Sequence, residues 1–423
     1  MKRSMFIYVT FLISLLILNS CSNCNRPKRH PVSSGNPAII PVTTVSKPVY
    51  NIYLENSGSM DGYVSGITEF EQAIYNFLVD ITNNELADSI NLFYINSIII
   101  PNKPEIADFI ENLEPETFRK RGGNRSTSNM SNMFRTILEN TEENTVSVFI
   151  SDCVFSPGGG IDAHEYLVNQ QIAIKNDFAQ KLNQTSLTTV LLQLNSQFKG
   201  YYYNRLNQSV LITGTRPYYI WLFGKHEFIA DLLGKINLDS FKGGGVKNFY
   251  CIYNGEKYFD HGILMSPKLG TFERDKNNPK TRLLKAKKAD KGIHEGKFQF
   301  SVGVNYQRSL LNEDFIMDPS NYKVMDNYEL EIIKCNIEGI NYSHILKLTT
   351  NSLKTGTVTI RFFNSVPEWI KEINSEDDQI ITVPGETEKT FGFRYLVEGI
   401  YEAYKLRNNN NDNLYEINIS VNQ

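Results

Sequence analysis

The stretch Tyr50-Asn51-Ile52-Tyr53-Leu54-Glu55-Asn56-Ser57-Gly58-Ser59-Met60 runs from an alternating pattern straight into an acid and two serines. Tyr50, Ile52 and Leu54 recur with period two, which predicts a strand. Downstream, Thr68 and Glu71 form a capping box, and Phe70, Ile74, Phe77, Leu78 and Ile81 recur at helical spacing. The serines therefore fall in a strand-to-helix loop at the carboxyl end of a strand, where open α/β sheets bind ligands. Hydroxyl and carboxylate oxygens are hard ligands that suit Mg²⁺ or Mn²⁺, and the loop brings no Cys/His set for zinc. Ser-Gly-Ser is also ordinary turn chemistry, so a loop kept for its shape alone is the competing explanation.

Two later segments bear on the same site. Gly122-Gly123-Asn124-Arg125-Ser126-Thr127-Ser128 precedes a helical pattern of Met130, Met133, Phe134 and Ile137. Val146 to Asp152 is an apolar strand pattern that ends in Ser151-Asp152. With Ser57 and Ser59, these pieces resemble the von Willebrand factor A-type domains and their metal-ion-dependent adhesion site. That family carries Asp-x-Ser-x-Ser after its first strand, a Thr on a second loop and an Asp after a later strand. The resemblance covers roughly residues 48–240. It implies a metal held by Ser57, Ser59, Thr127 (Ser126 and Ser128 being rivals) and Asp152, with a partner's Asp or Glu completing the coordination. The departure is Glu55, which stands where the family has Asp; its longer side chain reaches a metal through water or crowds the site.

Lys2 and Arg3 precede an apolar run from Met5 to Leu18, the order of a secretory signal. The ending Leu18-Asn19-Ser20-Cys21 resembles a bacterial lipobox, which implies lipidation of Cys21 and membrane anchoring in the cell envelope. Residues 21–47 read as a flexible tether with Pro27, Pro31, Pro37, Pro41 and the basic group Arg26, Lys28, Arg29 and His30. The other cysteines, Cys24, Cys153, Cys251 and Cys335, show no disulfide framework. A net charge of −3 argues against a nucleic-acid partner.

Beyond Asp152, Phe155 to Gly160 is a glycine-rich loop without the Lys-Ser/Thr of a phosphate loop. A helix is predicted over 164–183, strands over 188–194 and 218–223, a helix over 226–236 and a strand over 248–253. Tyr201, Tyr202 and Tyr203 fall in the connection between the last two strands of the 48–240 region. The expected fold class is α/β, a doubly wound and mainly parallel sheet, followed by a β-rich, sandwich-like region. The expected divisions are a signal segment 1–20, the tether 21–47, an α/β domain 48–240, a transitional segment with a basic loop 241–291, and a β-rich domain 292–423. In the last, strands are expected over 298–304, 328–333, 344–348, 357–362 and 415–421, with a helix over 393–404.

The function this supports is an envelope protein-binding or adhesion module that captures a partner carboxylate through a divalent metal. The alternatives are an envelope hydrolase using Ser59 or the metal, and a structural envelope protein with a degenerate metal site. Against hydrolysis, Gly58-Ser59-Met60-Asp61-Gly62 is out of register with Gly-x-Ser-x-Gly.

Overall fold

The computed structural model describes residues 46–102, 105–126, 129–238, 241–255, 258–335, 339 and 341–423. Cys21, the signal segment, the tether as far as residue 45, and Thr127 lie outside the described residues.

The site-bearing sheet has seven strands: β1 (Val49–Glu55), β2 (Ser89–Ile95), β3 (Ile99–Pro101), β4 (Thr145–Ser151), β5 (Thr188–Tyr203), β6 (Ser209–Gly224) and β7 (Val246–Tyr253). Their order is β3-β2-β1-β4-β6-β5-β7. The sheet is mixed. β1 pairs in parallel with β2 and β4, while the β2–β3, β4–β6, β5–β6 and β5–β7 pairs are antiparallel. β5 nevertheless runs the same way as β4, so β1, β2, β4 and β5 all open at one edge. Every residue of β4 is buried, as a strand covered on both faces must be.

The tyrosine run is where the structure departs most from the expected strand limits. Tyr201–Tyr203 are not a connection; they end β5, which pairs with β6 along its whole length to Tyr203 opposite Ser209. The turn is only residues 204–208, where Asn204 Oδ1 accepts from the N–H groups of Leu206 and Gln208. So short a turn makes a hairpin and inserts β6 between β4 and β5. Both strands project well beyond the last β4 residue.

The helices of this region are α1 (Glu69–Asn83), α2 (Ile106–Glu111), α3 (Pro115–Arg119), α4 (Met130–Glu139), α5 (Ala163–Gln184) and α6 (His226–Lys235). α1 starts at Thr68, whose side chain accepts from Glu71 N–H. Its apolar stripe of Phe70, Ile74, Phe77, Leu78 and Ile81 is buried, each side chain contributing about 1.5–3 kcal/mol.

The rest of the chain adds β8 (Asp260–Leu269), β9 (Thr271–Arg274), β10 (Arg282–Lys287), β11 (Phe298–Asn305), α7 (Glu313–Met317), β12 (Tyr322–Val324), β13 (Glu329–Lys334), β14 (His344–Thr350) and β15 (Gly356–Phe363). After these come α8 (Glu368–Glu372), β16 (Asn374–Ser375), β17 (Thr390–Phe391), α9 (Phe393–Arg407) and β18 (Asn413–Val421). They build a five-stranded sheet, β12-β15-β18-β10-β9, and a four-stranded sheet, β13-β14-β11-β8, antiparallel except where β10 meets β18. Phe272 of β9 meets Phe298 of β11, and Phe259 stacks on Tyr415, so apolar rings join the two sheets. Part of the expected basic loop is strand: Lys285 and Lys287 lie on β10, whose Leu283 and Ala286 face inward.

The expected boundary at residue 240 does not separate the sheets. β7 joins the first sheet from beyond it, and α9 lies on α5. Glu402 of α9 accepts from Gln171 (3.0 Å) and pairs with Lys175 (2.9 Å). Phe393 stacks on Tyr219 at 4.0 Å, on the face that holds Phe134, Phe149 and Trp221. α1 and α2 cover the opposite face, through Phe70 on Tyr218 and Phe109 on Tyr94.

Burial pushes the Glu71 carboxyl up to about 7, with the Thr68 N–H opposing. A raised carboxyl binds its proton more tightly folded than unfolded, so its stabilisation is full below about pH 4 and fades as pH rises through 7. Urea denaturation across this window should show wild type losing stability relative to Glu71→Gln, by about 1 kcal/mol after solvent screening. Parallel pH curves for the two proteins would refute it.

Candidate functional site

The register of β1 sets the site. Leu54 is opposite Ile150 and Glu55 opposite Ile95, so the residues that leave β1, β2 and β4 emerge side by side. Asn56 and Asn96 meet there, Asn96 Nδ2 donating to Asn56 Oδ1 at 2.8 Å and to Gly122 O at 2.9 Å. That contact ties in the Gly122–Ser126 loop. Gly123 has φ +72°, and a Cβ there would lie 2.0 Å from Asn96 Oδ1, so only glycine lets the loop close.

Arg125 then clamps the serine loop. Its Nε donates to Asn56 O (2.6 Å) and its Nη2 to Ser57 O (3.1 Å) and to Asp61 Oδ1. Gly58 N–H returns a bond to Arg125 O at 2.9 Å. Arg119 of α3 reaches the other Asp61 oxygen at 2.8 Å. The backbone is thus held in place, and the short 3-10 turn Gly58–Gly62 sets the largely buried Ser59 at the base of a cleft.

Four of the five expected ligands are described, and all four are buried: Glu55, Ser57, Ser59 and Asp152. Ser57 Oγ and Ser59 Oγ lie 3.0 Å apart. Asp152 Oδ1 accepts from Val154 N–H at 3.2 Å, while its Oδ2 is buried with no hydrogen-bond partner among the described residues. Burial pushes the Asp152 carboxyl up; the Arg216 guanidinium, Val154 N–H and the Ser59 hydroxyl oppose this. The Ser59 hydroxyl is thus near enough to the carboxylate to favour its ionised form.

Glu55 turns along the sheet edge and accepts from Ser151 Oγ, which itself accepts from Cys153 N–H at 2.7 Å. Its extra methylene is consistent with this lateral reach. Cys153 is buried, its Sγ accepts from Trp221 Nε1, and burial pushes its thiol up. A neutral thiol facing an indole is no nucleophile.

The donor set fits a small hard cation. Cis ligands about 2.1 Å from an octahedral Mg²⁺ lie about 3.0 Å apart, the spacing of the two serine oxygens. The orphaned Oδ2 of Asp152 is a buried acceptor in need of a cation or donor. Among the described residues no three His, Cys, Asp or Glu side chains converge as a metal cluster, so a cation here rests on hydroxyl ligands.

A cleft of about 690 Å³ opens above Ser59, lined in part by Asp61, Arg119, Arg125, Lys199, Tyr201 and Tyr203. One wall is the projecting β5–β6 hairpin, which crosses the 3-10 turn at Gly62 and Gly200. Behind the hairpin lies Arg216, fully buried, with its guanidinium 4.5 Å from the Tyr202 ring centre and donating to Thr387 O. Tyr202 OH donates to Asp378 at 2.7 Å. No family model matches the chain, and neither a curated protein nor a solved structure matches it.

The motif pattern does not single out Asn56, Asn96, Arg125, Asp61, Ser151 or Arg216. Asn56 and Asn96 were the most accessible of these, each being the first residue past an apolar strand. Arg216 was not, because its role comes from a hairpin whose length the pattern understates.

A Cβ at Gly62 would lie 2.4 Å from the Phe198 ring, and one at Gly200 would lie 2.7 Å from Gly62 Cα. Gly200→Ala should therefore destabilise the protein by about 1–3 kcal/mol. Ser57→Ala should cost less than about 1 kcal/mol, since it loses its bond to Ser59, and Ser59→Ala about 1 kcal/mol, since it also loses its favourable effect on the Asp152 carboxylate. Chemical denaturation of the three variants checks the ranking.

Proposed function

We propose that this chain is a binding module whose serine loop and Asp152 hold Mg²⁺ or Mn²⁺ and present it to a carboxylate of a partner protein. The observation that carries the reading is the buried Asp152 carboxylate, its Oδ2 without a hydrogen-bond partner among the described residues, close to the Ser59 hydroxyl of a serine pair whose oxygens lie 3.0 Å apart. Ser57, Ser59 and Asp152 would hold the cation, with Thr127 as a further ligand. Glu55 supplies negative charge from behind, steadied by Ser151. A bound cation with largely neutral hydroxyl ligands supplies an open position of high positive charge for an outside carboxylate. Arg125 keeps the loop rigid, so little ordering is needed on binding.

The fold reading belongs with this. The β3-β2-β1-β4 half of the sheet, with helices on both faces, supports a von Willebrand A-like domain, and the two mainly antiparallel sheets support a sandwich-like second region. The setting we propose is the bacterial cell envelope, with Cys21 lipidated and inserted in a membrane.

Binding is preferred to hydrolysis on local chemistry. Ser59 Oγ bonds Ser57 Oγ, and the bonds of His164, His261 and His344 run to Tyr395, Tyr415 and Glu313. A serine nucleophile needs a base within hydrogen-bond reach.

Calorimetric titration of the full chain with MgCl₂ and MnCl₂ tests the reading. We expect millimolar or tighter binding that Ser57→Ala and Ser59→Ala abolish and Glu55→Asp preserves or strengthens. Affinity should rise with pH, because the raised Asp152 carboxyl must lose its proton to ligate. Binding by Glu55→Asp but not wild type would mean the natural site is degenerate. Binding by neither would discard the ligand assignment.

A further inference from the structure

The cleft above Ser59 carries a charge opposite to that of the chain. It sits at the carboxyl edge of β1 and β4, and Ser59 lies on its floor. Arg119 from α3, Arg125 from the loop before α4, and Lys199 from β5 converge on it, against one carboxylate, Asp61. Three positive groups and one negative leave a net +2 in a chain whose net charge is −3. The cations come from three separate elements, so the positive field belongs to the cleft and not to one basic segment.

The cations differ in what they do. Arg125 is mostly buried and spends its donors on Asn56 O, Ser57 O and Asp61. Arg119 shares Asp61 but is more than half exposed, and Lys199 is exposed on the hairpin. These two are placed to meet a ligand. The remaining wall is apolar or aromatic: Tyr201, half exposed, Tyr203, Pro115, and Leu211, two-thirds exposed. Asn207, Ser156 and Ser209 offer hydrogen bonds.

We infer that the cleft binds an acidic, extended peptide segment of the partner. One carboxylate lies at the serine loop, neighbouring ones lie against Arg119 and Lys199, and an apolar side chain lies on Tyr201 and Leu211. This rests on the metal-dependent reading of Ser59 and extends it from a single carboxylate to a run of them. A peptide is favoured over an acidic glycan because exposed Leu211 and Pro115 give a sugar nothing to pair with, whereas a peptide brings apolar side chains of its own. Charge complementarity of this kind sets partner choice and speeds encounter.

The test uses the full chain, a fluorescein-labelled oligoglutamate peptide with a leucine at its centre, and an oligoglutamine counterpart, read by fluorescence anisotropy with Mg²⁺ or with EDTA. The acidic peptide should bind and the neutral one should not. Affinity should fall with salt, Lys199→Ser should weaken it severalfold while leaving the calorimetric Mg²⁺ affinity unchanged, and adding Arg119→Ser should bring the loss to about tenfold. Binding that persists in EDTA with the same dependence on Arg119 and Lys199 supports the cleft and overturns the metal reading. Mg²⁺-dependent binding that ignores both substitutions and salt overturns the cleft and leaves the metal reading standing. Tighter binding of an oligogalacturonate than of the peptide overturns the assignment to a peptide, and no binding of any acidic probe overturns the inference altogether.

Discussion

The site depends on the parallel register of β1 between β2 and β4. In parallel strands the backbone bonds are evenly spaced, and a slip of one residue turns every side chain to the opposite face. Here a slip would turn Leu54 to the face where Tyr53 now packs and move Asn56 away from Asn96. The aromatic and aliphatic side chains of β1 and β4 therefore fix positions well outside their own packing. Because Tyr53 and Leu54, like Phe149 and Ile150, pack on opposite buried faces, each against its own neighbours, the residues after Glu55 and Ser151 are held to one place of emergence.

That constraint places two acids together below the surface, which is unfavourable unless something offsets it. The protein offsets it with neutral donors and remote charge. Ser151 meets Glu55, Val154 N–H meets Asp152, and the buried Arg216 supplies positive charge without a direct salt bridge among the described pairs. The Asp61 pair with Arg119 and Arg125 is more exposed and holds loop geometry instead. Buried acids, a stiff loop and a positive cleft are thus arranged as layers running outward from the sheet.

Much of the α/β half was legible. The capping box at Thr68, the stripe of α1, the helix at α5 and the strand ending at Asp152 are local patterns, and local patterns survive folding. Ser57, Ser59 and Asp152 converge as their positions after strands suggested, while Glu55 turns toward Ser151, which no spacing rule anticipates. The full length of the hairpin is hidden in the sequence because Lys199 and Gly200 interrupt the apolar pattern of β5: Lys199 lines the cleft and Gly200 meets the turn at Gly62. The membership of α9 in the first layer was not legible either. Its apolar stripe announces a helix but not the partner that covers it, and the partner, α5, lies more than two hundred residues earlier in the chain.

That last feature has a consequence for how the molecule comes to exist. The segment 374–407 supplies Asp378 to Tyr202, Thr387 to Arg216, Thr390 to Tyr219 and a whole helix to α5. A chain emerging from its amino end has all seven strands of the first sheet in hand while the braces behind its hairpin are still missing. The part of the sheet face around Tyr219 that receives Phe393 then stands uncovered. Assembly is accordingly non-local, slow to complete and exposed to wrong pairings along the way. The edge that bears the serine loop is formed by the first half of the sequence, but the hairpin wall beside it is braced only when residues 374–407 have returned to it.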